Sequence, residues 1–183
     1  ESMDIQQAQK EMRSAFLGGF GGQLVAGLIW AGSAALATWS KPAYAMGLLF
    51  FGSMLLFPLT RLMMHLMGRP GKVSPQNSLW ALGMQTAFTV PINFLLVGAA
   101  TLYNQNWFFP AAMIVVGAHY LPFITQYGMK LFGFLAALLV GGGTALVFLK
   151  ITSFSLGGWV SAAAFILFAF LGRALVIKEE ATQ

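Results

Sequence analysis

The chain has 183 residues, of which 58% are hydrophobic and only 8% charged, with a mean hydropathy of +0.75. A soluble domain carries about 25% charged residues, so this composition excludes a disordered chain and leaves too few charges to cover a soluble globule. There is no cysteine, which removes disulfides, thiolate zinc sites and cysteine nucleophiles.

The length suits one domain. Glu1 and Ser2 precede Met3, which reads as the native start. Residues 1–13 form a polar lead-in, residues 14–177 an apolar body and residues 178–183 a polar tail. Within the body, six apolar stretches follow one another: Ser14 to Trp39, Pro42 to Met67, Ser78 to Leu102, Trp107 to Tyr127, Leu131 to Leu149 and Leu156 to Val176. Each matches the roughly 20 residues needed to cross a hydrocarbon core of about 30 Å. They are continuously apolar rather than alternating, so helices and not a barrel are expected. The fold class is therefore all-α, a polytopic membrane protein built as a compact bundle of six transmembrane helices. The connections are short, the longest being the Pro- and Gly-containing Gly68 to Asn77, so consecutive helices run antiparallel.

A formal charge of +5 would point to nucleic acid in a soluble chain. Here the bases flank apolar segments, so no nucleic-acid partner is expected. With six spans, Lys10, Arg13, Arg61, Arg69, Lys72, Lys130, Arg173 and Lys178 share one side, and Lys41 and Lys150 the other. That bias predicts an inner (plasma) membrane protein with both termini cytoplasmic, and membrane lipid as partner of the bases. Trp39, Tyr44, Trp107, Phe108 and Phe109 suit an outer aromatic belt. All five acids, Glu1, Asp4, Glu11, Glu179 and Glu180, lie in the terminal segments, so no carboxylate enters the membrane.

Polar side chains within apolar helices need partners and mark candidate sites. On the third stretch Gln85, Thr89 and Asn93 stand at i, i+4 and i+8 on one face, with Pro91 freeing a backbone carbonyl one turn earlier. On the fourth, His119, Phe123, Gln126 and Lys130 share a face and Pro122 frees the carbonyl of Ala118. Tyr120 and Tyr127 flank that proline, and Gln23 sits among glycines on the first stretch. At about 1.5 Å per residue, Gln23, Thr89 and His119 come to similar depth. Two readings follow. These residues are interhelical glue worth under about 1 kcal/mol each, or they converge beside two proline breaks as a binding site. The candidate ligand-binding set is Gln23, Gln85, Thr89, Asn93, His119, Tyr120 and Gln126.

On the second stretch Arg61 and His65 share a face, either as a basic collar at the interface or as a gate or lipid-phosphate contact. The methionines around His65 read as packing filler rather than metal ligands; no metal and no cofactor is expected. Gly18, Gly22 and Ala26, and again Gly27, Ala31 and Ala35, make small-residue ridges suited to close helix approach. The cluster Gly18 to Gly22 lacks the lysine of a phosphate loop, and Gly141 to Gly143 can soften the fifth helix.

Two segments carry a resemblance. Gly117-Ala118-His119-Tyr120-Leu121-Pro122-Phe123 with Tyr127-Gly128-Met129, and the opening Phe16-Leu17-Gly18-Gly19-Phe20-Gly21-Gly22-Gln23-Leu24-Val25, resemble an uncharacterised family of small six-helix bacterial integral membrane proteins. The resemblance covers most of the chain and implies a bacterial origin, but no activity. From the residues, the leading expectation is a small transporter, channel or membrane-embedded binding protein for a small neutral solute, with its site between spans one, three and four. The alternative is a structural or accessory subunit that packs against a partner membrane protein, or against a second copy, through its small-residue faces. An intramembrane enzyme is disfavoured, because only His65 and His119 are available and no acid orients either.

Overall fold

In a computed structural model, which describes residues 3–182, the described residues form helices joined by loops and turns, with no strand. In chain order the helices are α1 (Ile5–Phe16), α2 (Phe20–Trp39), α3 (Pro42–Met54), α4 (Leu56–Leu66), α5 (Leu79–Tyr103), α6 (Phe108–His119), α7 (Leu121–Tyr127), α8 (Leu131–Phe148) and α9 (Leu156–Ala181), with one 3-10 turn at Gln105–Trp107. Five runs are single helices, or nearly so, long and apolar enough to cross a membrane: α2, α5, Gln105–Tyr127, α8 and α9. The pair α3–α4 makes a sixth if taken as one span, bent by 60°.

Side-chain contacts show where each run begins and ends. Arg13 near the end of α1, Arg69 after α4 and Glu179 and Glu180 near the end of α9 meet in ion pairs. Asn77 before α5 and Tyr127 at the end of α7 are bonded to α1. At the opposite end Trp39 and Trp159 touch. The bent pair α3–α4 therefore traverses the bundle like the others, and both termini lie at one end, called here the basic end.

Three local results differ from the sequence expectations. The stretch Ser14 to Trp39 is not one helix. Leu17, Gly18 and Gly19 have φ of 50°, 63° and 81°, a left-handed run that ends α1 and turns the chain into α2. Only glycine adopts such angles without penalty, and at Gly18 a Cβ would also come within 3.1 Å of the Gly172 carbonyl oxygen. The second stretch breaks at Leu55. Pro58, in the first turn of α4, has no N–H for the carbonyl of Met54 and its ring clashes there. Finally, Phe108 and Phe109 do not form an aromatic belt. Both are buried and pack edge-on to each other and against Phe154, whereas Trp39, Tyr44 and Tyr103 are exposed.

The core sits in two glycine-lined seams. Along α2 and α9, a Cβ at Gly27 would meet Ile166 at 2.7 Å, and one at Gly158 would meet Ala34 at 2.9 Å. Along α6 and α8, a Cβ at Gly143 would lie 2.6 Å from the Pro110 carbonyl oxygen. Gly143 therefore serves close approach in an unbroken helix rather than softening it. Trp30, Phe109 and Phe165 join the seams at the centre.

α1 is amphipathic and lies across the basic end, burying Ala8, Met12, Ala15 and Phe16. Its polar face is tied down. Arg13 donates in a fork to Glu179 at 2.7 and 2.8 Å and to the Tyr127 carbonyl at 2.7 Å. Gln9 donates to the Thr125 carbonyl at 2.7 Å. Glu11 accepts from the Ser74 backbone N–H at 2.8 Å and from Asn77 Nδ2 at 2.7 Å, and Arg69 forks onto Glu180. Partial burial alone would raise the Glu11 carboxyl, but the hydrogen bonds from Asn77 and Ser74 outweigh it and hold the group below its ordinary value.

Candidate functional site

A cleft of about 710 Å³ runs into the bundle from the basic end, between α2, α3 and α4 on one side and α5, α6 and α7 on the other. Its walls follow from the local sequence. Gly19 just before α2 and Gly22 and Ala26 within it present almost no side chain, and the nearest atom to a Cβ at Gly22 would be Thr60 Oγ1 at 3.9 Å. The first small-residue ridge thus includes a wall of a cavity, while Gly27 of the second is consumed by packing on α9. Across the cleft, α5 offers Gly83, Met84, Ala87 and Pro91. The missing N–H of Pro91 leaves the carbonyl of Ala87 without its helical partner. Ile29, Trp30, Phe50 and Phe94 line it farther from the basic end.

α4 and α5 barely touch. Met54 and Phe57 on one side and Trp80 and Phe88 on the other line the cleft and are exposed, so it opens on the flank of the bundle between these helices. At the basic end its rim carries Arg61 and Lys72, both exposed. No Asp or Glu is among the lining residues.

The polar interior is small and specific. Gln23 is 2% and Gln126 3% exposed. Neither amide atom of Gln23 has a hydrogen-bond partner, nor do Gln126 Oε1 and Thr60 Oγ1. A buried polar atom without a partner costs about 1–3 kcal/mol. Gly83 makes room for the Gln126 carboxamide, since any Cβ there would collide with it. His119 is half-buried, with Nδ1 2.6 Å from the Val116 carbonyl oxygen. A carbonyl can only accept, so Nδ1 is the donor of this bond, and in the neutral ring that leaves Nε2 as an acceptor. The imidazole lies against the rings of Tyr120 and Phe123 at 4.3 and 5.1 Å, and Tyr120 stacks on Phe132.

Of the candidate ligand-binding set, the cleft brings together Gln23, His119, Tyr120 and Gln126, and its rim takes in Arg61, the residue read from the sequence as a collar, gate or lipid-phosphate contact. It does not include Gln85, Thr89 and Asn93. Gln85 and Thr89 are exposed, Asn93 is half-buried, and the Thr89 hydroxyl donates to the Thr86 carbonyl of its own helix at 2.6 Å. The three do share a face of α5, but the face toward the cleft is the one with Gly83, Ala87 and Phe94. Gln23 also lies less deep than its position in a helix starting at Ser14 implies. With α2 starting at Phe20, it is roughly 5 Å from the helix end. Thr60 and Lys72 were not singled out. Thr60 is a lone hydroxyl between Leu59 and Arg61, and Lys72 sits in a loop, so the sequence signals only a span end and a turn. His65 is exposed and outside the cleft.

No curated protein and no solved structure matches the chain. A family profile does match, over residues 5–177. That range takes in α1 to α8 and all but the end of α9, and with them every residue of the cleft. The chain belongs to this family, described as a family of unknown function, DUF7010.

Proposed function

We propose that the protein is a membrane-embedded carrier or binding protein for a small ligand, and that the cleft between its first four passes is the site. The observation that carries this reading is the coincidence of a cleft of about 710 Å³ with buried amides that have no partner. Ligand sites are concave, mostly apolar cavities of about 300–1,000 Å³ with a few placed polar groups, and Gln23, Gln126, Thr60 and His119 Nε2 supply those groups here. An ester, amide or hydroxyl would satisfy them. Because no Asp, Glu, Lys or Arg lines the cleft away from its rim, the inserted part of the ligand is uncharged. The concentration of basic residues at the end shared by the termini supports a plasma or inner membrane location with that end cytoplasmic. The alternative, a purely accessory subunit, loses much of its motivation, since Gly22 and Ala26 line the cleft and Gly27 packs on α9.

The test is thermal stabilisation of the purified protein in detergent by neutral amphiphiles: decanol, decanamide and monoolein. At least one is expected to raise the melting temperature of the wild type by a few degrees and to have no effect on Gly22→Leu, which fills the cleft. His119→Ala is expected to weaken the response. No stabilisation of the wild type, or equal stabilisation of Gly22→Leu, overturns the reading.

A further inference from the structure

The cleft has an apolar interior and a charged rim on the same side as its lateral opening, and that combination specifies a ligand class. Arg61, in the middle of α4, and Lys72, in the loop before α5, both line it at the basic end. Neither is engaged in a hydrogen bond or ion pair among the described residues. This contrasts with Arg13 and Arg69 nearby, which are clamped by Glu179 and Glu180. Glu11, Glu179 and Glu180 thus serve the α1 latch, and no acid is among the lining residues. The exposed rings of Phe57 and Phe88 on opposite sides of the opening give a chain in the bilayer an apolar route between α4 and α5, where the helices barely touch. Resting on the binding role proposed above, we infer that the ligand is a single-chain anionic amphiphile. Its hydrocarbon chain enters between α2, α4 and α5. Its neutral linker (ester or hydroxyl) meets the amides of Gln23 and Gln126. Its acidic headgroup rests on Arg61 and Lys72.

The geometry explains two features that a wholly neutral ligand leaves without a role. One is the placing of two unpaired cations on a rim otherwise built of aromatic and aliphatic groups. The other is the position of Gln23 and Gln126, three residues and one residue from the basic ends of their helices. Both amides are thus at the end of the cleft where the two bases stand, rather than in the middle of the bundle.

The experiment compares three probes on the full chain in neutral detergent. Monooleoyl phosphatidate carries chain, linker and anion. Monoolein carries the same chain and linker without the anion. Inorganic phosphate is the anion alone. Retention is read by native mass spectrometry for the wild type, for the double variant Arg61→Gln/Lys72→Gln, and for Gly22→Leu. Monooleoyl phosphatidate is expected to bind about tenfold more tightly than monoolein, since each base near an anionic headgroup contributes on the order of 1 kcal/mol. The preference is expected to vanish in the double variant and both lipids to be lost in Gly22→Leu, with phosphate alone not retained. Equal affinity for the two lipids in the wild type, or a preference that survives the double variant, overturns the anionic assignment and leaves the cleft as a site for neutral ligands. Lipid retention unaffected by Gly22→Leu overturns the cleft as the site altogether. Retention of phosphate alone overturns the amphiphile in favour of a surface anion site. The double variant breaks no interaction seen in the structure, so its melting temperature should match the wild type and separate lost binding from lost folding.

Discussion

The α2/α9 and α6/α8 seams and the cleft are lined by the same small residues, put to opposite uses. At Gly27, Gly143 and Gly158 the absent side chain lets another helix come so close that a Cβ would lie 2.6 to 2.9 Å from an atom of it. At Gly22, a few residues from Gly27 on the same helix, no atom of another helix lies closer than 3.9 Å to that position. In the first case glycine creates contact and in the second it creates volume. A ridge of small residues in a membrane helix therefore does not by itself announce a partner; what stands across from it decides.

The strongest way to break this contrast is Gly143→Leu. The obstructing atom is the Pro110 carbonyl oxygen, which belongs to backbone and cannot swing aside, so overpacking is unrelieved. Loss of about 3 kcal/mol or more, seen as failure to give a monodisperse peak on size exclusion, is expected. The seams hold the bundle, but the cleft's two walls share few direct contacts, and at the basic end α1 keeps them in register. Arg13→Gln removes a fork to Glu179 and a bond to the Tyr127 carbonyl. With the Arg13 side chain only 17% exposed, a loss of about 1–3 kcal/mol is expected from thermal melts. Gly22→Leu is the counterpart of Gly143→Leu. The new side chain enters open space and replaces a poor helix former, so stability should stay within about 1 kcal/mol of wild type while binding in the cleft is lost. A melting temperature as low as that of the seam variant would erase the distinction.

The α1 latch also has a pH signature. The Glu11 carboxyl is held below its ordinary value of 4.5 in the fold by Asn77 and Ser74. Its contribution is fully present above the unfolded value and is lost as pH falls through the lower, folded one. Between about pH 6 and pH 3, wild type should lose a few degrees of melting temperature more than Glu11→Gln. The other carboxylates titrate in both proteins and cancel in that difference. A parallel decline of the two curves would mean that the bonds to Ser74 and Asn77 contribute nothing in solution.

Much of this architecture is legible in the residues, because hydrocarbon leaves a chain few options. Run length, the positions of ten bases and the short loops together imply the antiparallel passes and the shared end of the termini. What was illegible depends on local backbone events inside apolar runs. The left-handed run Leu17 to Gly19 reads as part of one continuous apolar stretch with a small-residue ridge until its neighbours are placed, and Pro58 bends its span although the hydropathy is continuous across it. The acids of the terminal segments are recognisable as excluded from the membrane, but nothing in their spacing says that Glu11, Glu179 and Glu180 clamp a helix across the bundle end. For the site, Gln23, His119, Tyr120 and Gln126 were found because they are polar or aromatic beside glycine or proline. Thr60 and Lys72 are illegible because a lone hydroxyl near a span end and a lysine in a turn carry no sign of what faces them across the cleft.

The face of α5 gives the smallest effect and the sharpest control. Helical spacing puts Gln85, Thr89 and Asn93 in a polar row, yet a row has a direction only once the helix is packed. α5 turns Gly83, Ala87 and Phe94 to the cleft and leaves Gln85 and Thr89 exposed. Thr89 already satisfies its hydroxyl on its own helix, so removing it strands no buried partner. The double change Gln85→Ala/Thr89→Val should therefore alter stability by no more than about 0.5 kcal/mol and leave lipid retention unchanged, whereas Gln126→Leu, on the opposite wall, should weaken it several-fold. If instead the exposed row governs binding and Gln126 does not, the ligand lies on the outer face of α5. Open volume beside Gly22 would then be a packing defect, and the difference between the seams and the cleft would have no functional meaning.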